Sequence, residues 1–356
     1  MQAVAAATIV VGFSAVLLLR RQRRASGSLV LSHPPGAPLI LVDANLPSWK
    51  TDASIAEEFR ALLPTVPILG WDACDTDEKA RVDLSHVGMV IVVTGISPDL
   101  VSRLPRLALV QKLGAGVEGI CGDVSLPDKV RVTRLKPSVA AREIAEYALA
   151  YTLRRQRNMD FHTEQQRLQQ WTPLAPKATG ATVIGVLGLG HIGGLTARTF
   201  ASLGFVVLGW ARSAHSLPSI ECLTGERGLM RLLGEADVVV AILPSTAETR
   251  CLLNARRLDA MKRGSLLINA GRGDLLDEPA LLTALDRGRP GSAVLDVTCE
   301  EPLGSSSPLW RHPRVTITPH VSGWRVDGGM EDVAENWRRL VSGQPLLHEV
   351  DRSRGY

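Results

Sequence analysis

The body of this chain lacks a surplus of charge of either sign. The formal net charge is +4, and Arg20, Arg21, Arg23 and Arg24 account for all of it, because residues 1–24 contain no acid. A neutral body has no global field with which to hold a nucleic-acid backbone, so nucleic acid is not an expected partner. Paired cysteines are lacking too. Cys74, Cys121, Cys222, Cys251 and Cys299 are odd in number, scattered, and without CxxC spacing. That argues against a disulfide framework or a zinc site and fits a reduced, intracellular compartment, and no metal is expected. The cysteines read as small buried hydrophobes. Cys299 stands apart because it neighbours Glu301. Internal repeats and low-complexity tracts are absent as well.

What is present suits a two-domain enzyme. A length of 356 residues exceeds one ordinary core. The hydrophobic share of 45% is normal for a globular protein, and 32 Gly with 21 Pro imply many tight turns. Residues Ala3 to Leu19 form an apolar run followed at once by Arg20-Arg21-Gln22-Arg23-Arg24. At about 1.5 Å per residue the run spans roughly 25 Å, marginal for a bilayer core. Positive charges after the run, not before it, fit a cytoplasmic body on a membrane tether better than a cleaved secretory signal. An organelle-targeting peptide and a disordered leader are the alternatives. Residues 1–37 lie outside the expected fold in every case, and the Pro-rich stretch Ser32–Pro38 reads as a linker.

Folded structure is expected from Leu39-Ile40-Leu41-Val42 onward. Val87–Thr94 and Leu107–Lys112 are further apolar runs of strand length, with helical spacing between them, as in Ser54–Leu63. Ser138–Asn158 reads as one long helix, with Pro137 at its start and Val139, Ile144, Ala148 and Tyr151 on its apolar side. The polar Gln165–Gln170 stretch, followed by Pro173 and Pro176, reads as a domain junction. The alternation resumes with strands over Thr182–Leu187, Val206–Trp210, Val238–Leu243, Ser265–Asn269 and Ala293–Val297. Strands alternating with helices imply an α/β chain with parallel sheets, helices covering both faces.

Gly188-Leu189-Gly190-His191-Ile192-Gly193 is a GxGxxG between an apolar strand and a helical stretch, Leu195–Leu203, with a strand after Gly204. In that context it marks a dinucleotide loop. The first glycine allows the tight turn, the second close approach to a pyrophosphate, the third close helix–strand packing. An NAD site places a carboxylate at the end of the second strand to take the ribose 2′-hydroxyl. This chain reads Gly209-Trp210-Ala211-Arg212-Ser213 there. Arg212 and Ser213 suit a 2′-phosphate, so NADP is preferred over NAD. Three more strand ends carry polar groups: Asn269-Ala270-Gly271-Arg272-Gly273, Leu295-Asp296-Val297-Thr298-Cys299-Glu300-Glu301-Pro302, and Ile317-Thr318-Pro319-His320. Ligands of open α/β sheets sit at such ends.

These motifs, with Lys112-Leu113-Gly114-Ala115-Gly116-Val117 and the helix of Glu146, resemble those of the D-isomer-specific 2-hydroxyacid dehydrogenases over roughly residues 39–350. Trp210-Ala211-Arg212-Ser213 and Pro308-Leu309-Trp310-Arg311-His312-Pro313 look most like the glyoxylate/hydroxypyruvate reductase branch. The resemblance implies two doubly wound, Rossmann-like domains around a cleft: residues 39–145 with 320–356 for substrate, and 146–319 for dinucleotide. It also implies a homodimer, and a small 2-oxo or 2-hydroxy acid as substrate. His320 would be the general acid, Glu301 its orienting partner, and Arg272 the clamp on the substrate carboxylate, with backbone N–H groups of Ala115 and Gly116. The Glu-Pro match selects Glu301 over Glu300. Gly188, Gly190, His191, Ile192, Gly193, Arg212, Ser213, Leu243, Pro244, Ala270 and Asp296 would contact the cofactor, Asp296 at the nicotinamide carboxamide. The sequence departs from the family pattern at Tyr147, at Thr298 and Cys299, and at Trp324-Arg325, either of which could shape the substrate pocket. A nicotinamide-binding sensor of the corepressor kind, with little turnover, is the competing reading.

Overall fold

The structure is a computed structural model of the chain, and it describes residues 38–43, 51–73, 83–121, 125–136, 138–325 and 329–353. The apolar run Ala3–Leu19, Cys74 and Pro137 lie outside the described residues.

Two parallel sheets carry the fold. The first uses β1 (Leu39–Asp43), β2 (Ile68–Gly70), β3 (Val87–Val92), β4 (Leu109–Lys112) and β5 (Arg131–Arg134), in the order β2-β1-β3-β4-β5. Every pairing is parallel. The second uses β6 (Val183–Leu187), β7 (Val206–Trp210), β8 (Glu221–Leu223), β9 (Val238–Ala241), β10 (Leu266–Asn269), β11 (Ser292–Leu295) and β12 (Val315–Ile317). Its order is β12-β11-β10-β9-β6-β7-β8, again all parallel. Both orders reverse direction once, at β1/β3 and at β6/β9, and each reversal opens a crevice at the carboxyl ends of the strands. The α/β reading of the sequence holds, and the fold is doubly wound twice over.

The central strands read as continuous apolar runs because both faces are covered. All four residues of β9, Val-Val-Val-Ala, are buried. Helix α1 (Asp52–Leu62) covers the first sheet through Ile55, Ala56 and Phe59 and is started by a Thr51–Ser54 capping box. Helix α2 (Glu118–Cys121) follows β4. The long α3 (Ser138–Gln156) connects the two sheets, and its Ala148 packs in the core of the second. Helix α4 (Met159–Arg167) buries none of its residues.

After β12 the chain returns to the first sheet. Helix α5 (Met330–Ser342) places Val333, Ala334 and Trp337 in the core shared with Ile40, Phe59 and Leu109. A buried polar net fixes this return. Asn336 Nδ2 donates to Gln111 Oε1 (3.0 Å) and Leu347 O (3.1 Å), and Thr133 Oγ1 donates to Gln111 Oε1 (2.6 Å). Each of these buried groups has a partner, so the net specifies register without leaving an orphan.

Candidate active site

The dinucleotide loop follows β6. Gly188 has φ +102, and a Cβ there would stand 2.4 Å from Ile242 O. A Cβ on Gly193 would stand 1.8 Å from Gly188 O, so the helix that starts at His191 (His191–Ser202) packs tightly against the strand end. Gly190 is different. A Cβ on it would meet nothing within 4 Å, so the loop faces open space at the N-terminus of that helix. Open space, bare backbone and a helix N-terminus together fit a pyrophosphate. His191 is held below the ordinary imidazole range by burial and by Lys136, Arg198, His348 and Arg134. At the end of β7, Ala211 is buried, Arg212 and Ser213 are exposed, and Arg212 Nη1 pairs with Glu248 Oε2 at 2.6 Å. Beyond β9, Leu243 packs where Gly271 allows close approach, and Pro244 O accepts from Thr249 Oγ1 at 2.6 Å.

The turn after β10 is braced from within. Buried Asn269 donates through Nδ2 to Arg272 O (2.9 Å) and accepts through Oδ1 from Gly271 N (3.2 Å), while Ala270 N donates to Ala241 O (3.1 Å). Arg272 therefore leaves the second sheet in one direction, toward the loop after β4. Its Nε donates to Glu118 Oε1 at 3.0 Å and its Nη2 to Glu118 Oε2 at 3.3 Å. A Cβ on Gly116 would stand 1.6 Å from Arg272 Nη2, so the guanidinium lies directly on that glycine. Glu118 also accepts from Ser245 N at 3.3 Å. Burial raises the Glu118 pKa, but Arg272's charge and these hydrogen bonds outweigh it and hold the carboxyl below its ordinary value. In the same loop Arg134 Nη1 donates to Ala115 O at 3.0 Å. Among the described residues nothing accepts from the N–H groups of Ala115 and Gly116.

His320 follows β12 with φ 55, and its backbone N–H donates to Asp296 O (2.9 Å) and Thr318 O (3.0 Å). The imidazole Nδ1 meets Glu301 Oε2 at 2.7 Å. A carboxylate only accepts, so Nδ1 carries the proton in that contact and Nε2 is the nitrogen left for chemistry. The hydrogen bond to Glu301 raises the His320 pKa; partial burial and Arg272 oppose it, and Glu301's charge adds to it. Glu301 is oriented in turn by Thr298 N–H, 3.1 Å from Oε1. Burial pushes the Glu301 carboxyl up, yet His320, Thr298 and Arg272 bring it below its ordinary value. One edge of the second sheet thus presents an anion-binding loop, a guanidinium fork and a carboxylate–imidazole pair. The loop after β4 of the first sheet meets them.

A glyoxylate/hydroxypyruvate reductase A of Serratia proteamaculans is 36% identical over 264 residues, covering 72% of this chain and 84% of that protein. The chain belongs to the D-isomer-specific 2-hydroxyacid dehydrogenase family. The family model for the NAD binding domain of D-isomer specific 2-hydroxyacid dehydrogenases matches residues 149–322. Two solved structures share the whole fold at TM-score 0.81, each covering 90% of this chain and 100% of its own. One is a D-isomer specific 2-hydroxyacid dehydrogenase from Xanthobacter autotrophicus Py2 in complex with NADPH and MES, 33% identical. The other is an NADPH-dependent glyoxylate/hydroxypyruvate reductase from Sinorhizobium meliloti in complex with NADP and sulfate, 31% identical.

Within this dehydrogenase some residues do work that sequence did not reveal. Asp296 is 1% exposed, and its carboxylate accepts from Thr318 Oγ1 (2.6 Å), Val321 N (2.9 Å) and Ser322 N (2.9 Å). It ties down the His320 turn, and a contact with a nicotinamide carboxamide would use its remaining acceptor capacity. Tyr147 Oη stands 2.6 Å from Thr318 Oγ1, whose proton goes to Asp296, so the phenol is the donor, and burial holds its pKa high. Glu118 escaped notice, although an acid two residues after Gly116 was a signal. Trp324 and Arg325 are exposed, with both backbone N–H groups on Glu143 Oε2 at 2.8 and 2.9 Å. Cys299 Sγ points at Gly273 O and Leu276 O (3.5 and 3.6 Å). Desolvation, then Glu278, pushes that thiol to about 12, which makes it a poor nucleophile. Among the described residues no cluster could hold a metal ion.

Proposed function

We propose that this dehydrogenase reduces a small 2-oxo acid, of the size of glyoxylate or hydroxypyruvate, with NADPH. The observation that carries the reading is the 2.7 Å Glu301–His320 pair beside the Arg272 fork, at the strand edge that also holds the dinucleotide loop. The cofactor would lie on Gly188–Gly193, with Arg212 and Ser213 at its 2′-phosphate and Leu243, Pro244, Ala270 and Asp296 around the remainder. NADPH, when bound, supplies the hydride. His320 gives its Nε2 proton to the carbonyl oxygen, and Glu301 stabilises the imidazolium beforehand. Arg272 and the N–H groups of Ala115 and Gly116 hold the substrate carboxylate. Residues 39–145 with 320–356 act as the substrate domain and 146–319 as the cofactor domain. The intact Arg272, Glu301 and His320 favour an enzyme over a sensor with little turnover.

Two further parts of the reading concern the surroundings. A homodimer is supported by the arm after α3, where Met159, Leu168 and Leu174 are exposed and Trp171 fully so. Sedimentation of the purified chain tests it. A membrane tether through residues 3–19 is supported by sequence alone. Among the described residues no helix is long and apolar enough to cross a membrane. Fractionation with and without residues 1–37 tests the tether.

The central test is NADPH oxidation with glyoxylate and hydroxypyruvate by wild type and His320→Ala. The variant should lose about 10²–10⁴-fold in kcat with cofactor binding retained. Equal turnover by the two proteins would overturn the assignment.

A further inference from the structure

Arg272 is not the sole cation at the substrate end. Arg272 uses Nε and Nη2 on Glu118 and donates through Nη1 to Gly271 O at 2.7 Å. The Arg272–Glu118 pair is close to neutral as a unit, and both side chains are less than one-third exposed, at 31% and 26%. The guanidinium has five N–H groups, so it can keep these three bonds and still point two at a substrate. What it cannot supply there is net charge. A carboxylate entering a partly desolvated cleft beside a neutral pair loses hydration without a compensating charge.

Lys112 supplies charge directly at the Gly114–Gly116 turn. It ends β4, two residues before Gly114, and its Nζ lies 3.8 Å from where a Cβ on Gly114 would stand. The ammonium thus lies at the same Gly114–Gly116 turn that the Arg272 fork touches. Arg134 adds its charge to the same loop, with Nη1 committed to Ala115 O. Among the described residues the Lys112 side chain has no hydrogen-bond or ion-pair partner. Burial and then Arg272's charge bring its pKa down to about 8, with Glu118 partly offsetting them, so it is still largely cationic near neutral pH. A half-buried, unpaired ammonium costs stability, and an anion brought to it relieves that cost.

We propose that Lys112 is a further substrate-binding residue, whose ammonium receives the carboxylate of the 2-oxo acid at the Gly114–Gly116 turn. Arg272, held by Glu118, sets the direction of that carboxylate, and the Lys112 ammonium adds charge that draws it in. The proposal rests on the reductase reading for the identity of the anion. It departs from that reading in making the guanidinium insufficient by itself.

The test uses oxamate, an unreactive 2-oxo acid mimic, titrated calorimetrically into the NADPH-loaded enzyme. Lys112→Met should weaken oxamate by about 10–100-fold, the range of a charge-assisted contact, and raise KM for the 2-oxo acid more than it lowers kcat. Lys112→Arg should recover most of the loss. Unchanged NADPH affinity shows that the variant is folded, and Lys112→Gln replaces it if it is not. Oxamate bound by Lys112→Met within twofold of wild type would overturn the proposal. If wild type binds oxamate but reduces no 2-oxo acid, the reductase reading falls and the Lys112 comparison still decides. No oxamate binding by wild type would overturn both.

Discussion

Replacing Gly116 by alanine separates folding from catalysis in this enzyme. The added methyl would stand 1.6 Å from Arg272 Nη2 and 2.6 Å from Glu118 Oε2, where contacts below 3.0 Å are essentially never seen. The backbone is not the obstacle, since Gly116 is not among the positive-φ glycines. What must move is the end of a flexible arginine, together with the carboxylate bound to it. Moving from 1.6 Å to beyond 3.0 Å shifts the fork by more than an ångström. Misplacement of that order costs about 10²-fold in rate, or ~2.7 kcal/mol of transition-state stabilisation. The stability cost should be small, because the pair is partly solvated and can rearrange. The assay compares kcat/KM for the 2-oxo acid, the dissociation constant for NADPH, and Tm, in wild type and Gly116→Ala. We expect kcat/KM to fall about 100-fold, with NADPH binding unchanged and Tm within a few degrees. An alanine variant with wild-type kcat/KM would refute the idea that the fork works from its position on Gly116.

Other perturbations address the remaining groups. Glu301→Gln removes the negative charge that helps raise the His320 pKa and leaves only a neutral amide oxygen, a weaker acceptor, for Nδ1–H. Reduction needs the protonated imidazole, so activity is present below the His320 pKa and lost as pH rises through it. The alkaline limb of kcat/KM should therefore move to lower pH in the variant, and an unmoved limb would contradict the pairing. Arg212→Ala should raise KM for NADPH about 10–100-fold and leave KM for NADH within about twofold, measured by parallel saturation curves. Equal effects on both nicotinamides would remove Arg212 from the 2′-phosphate.

How legible the fold was in the sequence depends on where each strand lies. The interior strands Val206–Trp210 and Val238–Ala241 are continuous apolar runs because helices cover both faces, and pattern alone finds them. The unforeseen strands, Ile68–Gly70, Arg131–Arg134 and Glu221–Leu223, are all at sheet edges and no longer than four residues. An edge strand such as Arg-Val-Thr-Arg satisfies its polar side chains in water or on neighbours, here Glu349 for Arg131, so its composition resembles a loop. The strand ends that bear Arg272, Glu301 and His320 were legible because each polar group follows an apolar run. Glu118 was not, because its partner is 154 residues away and only the meeting of two sheets brings them together. Asp296 was legible as an acid at a strand end, but its hold on the His320 turn depends on Thr318, Val321 and Ser322 closing around it. Sequence order does not show that closure.

The Arg272–Glu118 contact ties the two sheets together. The guanidinium belongs to one sheet and its brace to the other. Any separation of the two sheets would take Glu118 away from the guanidinium and return rotamer freedom to the arginine. The direction of the guanidinium is thus conditional on contact between the two sheets. The contact thereby acts as an interlock: the fork keeps its direction only while the loop after β4 stays in place against it.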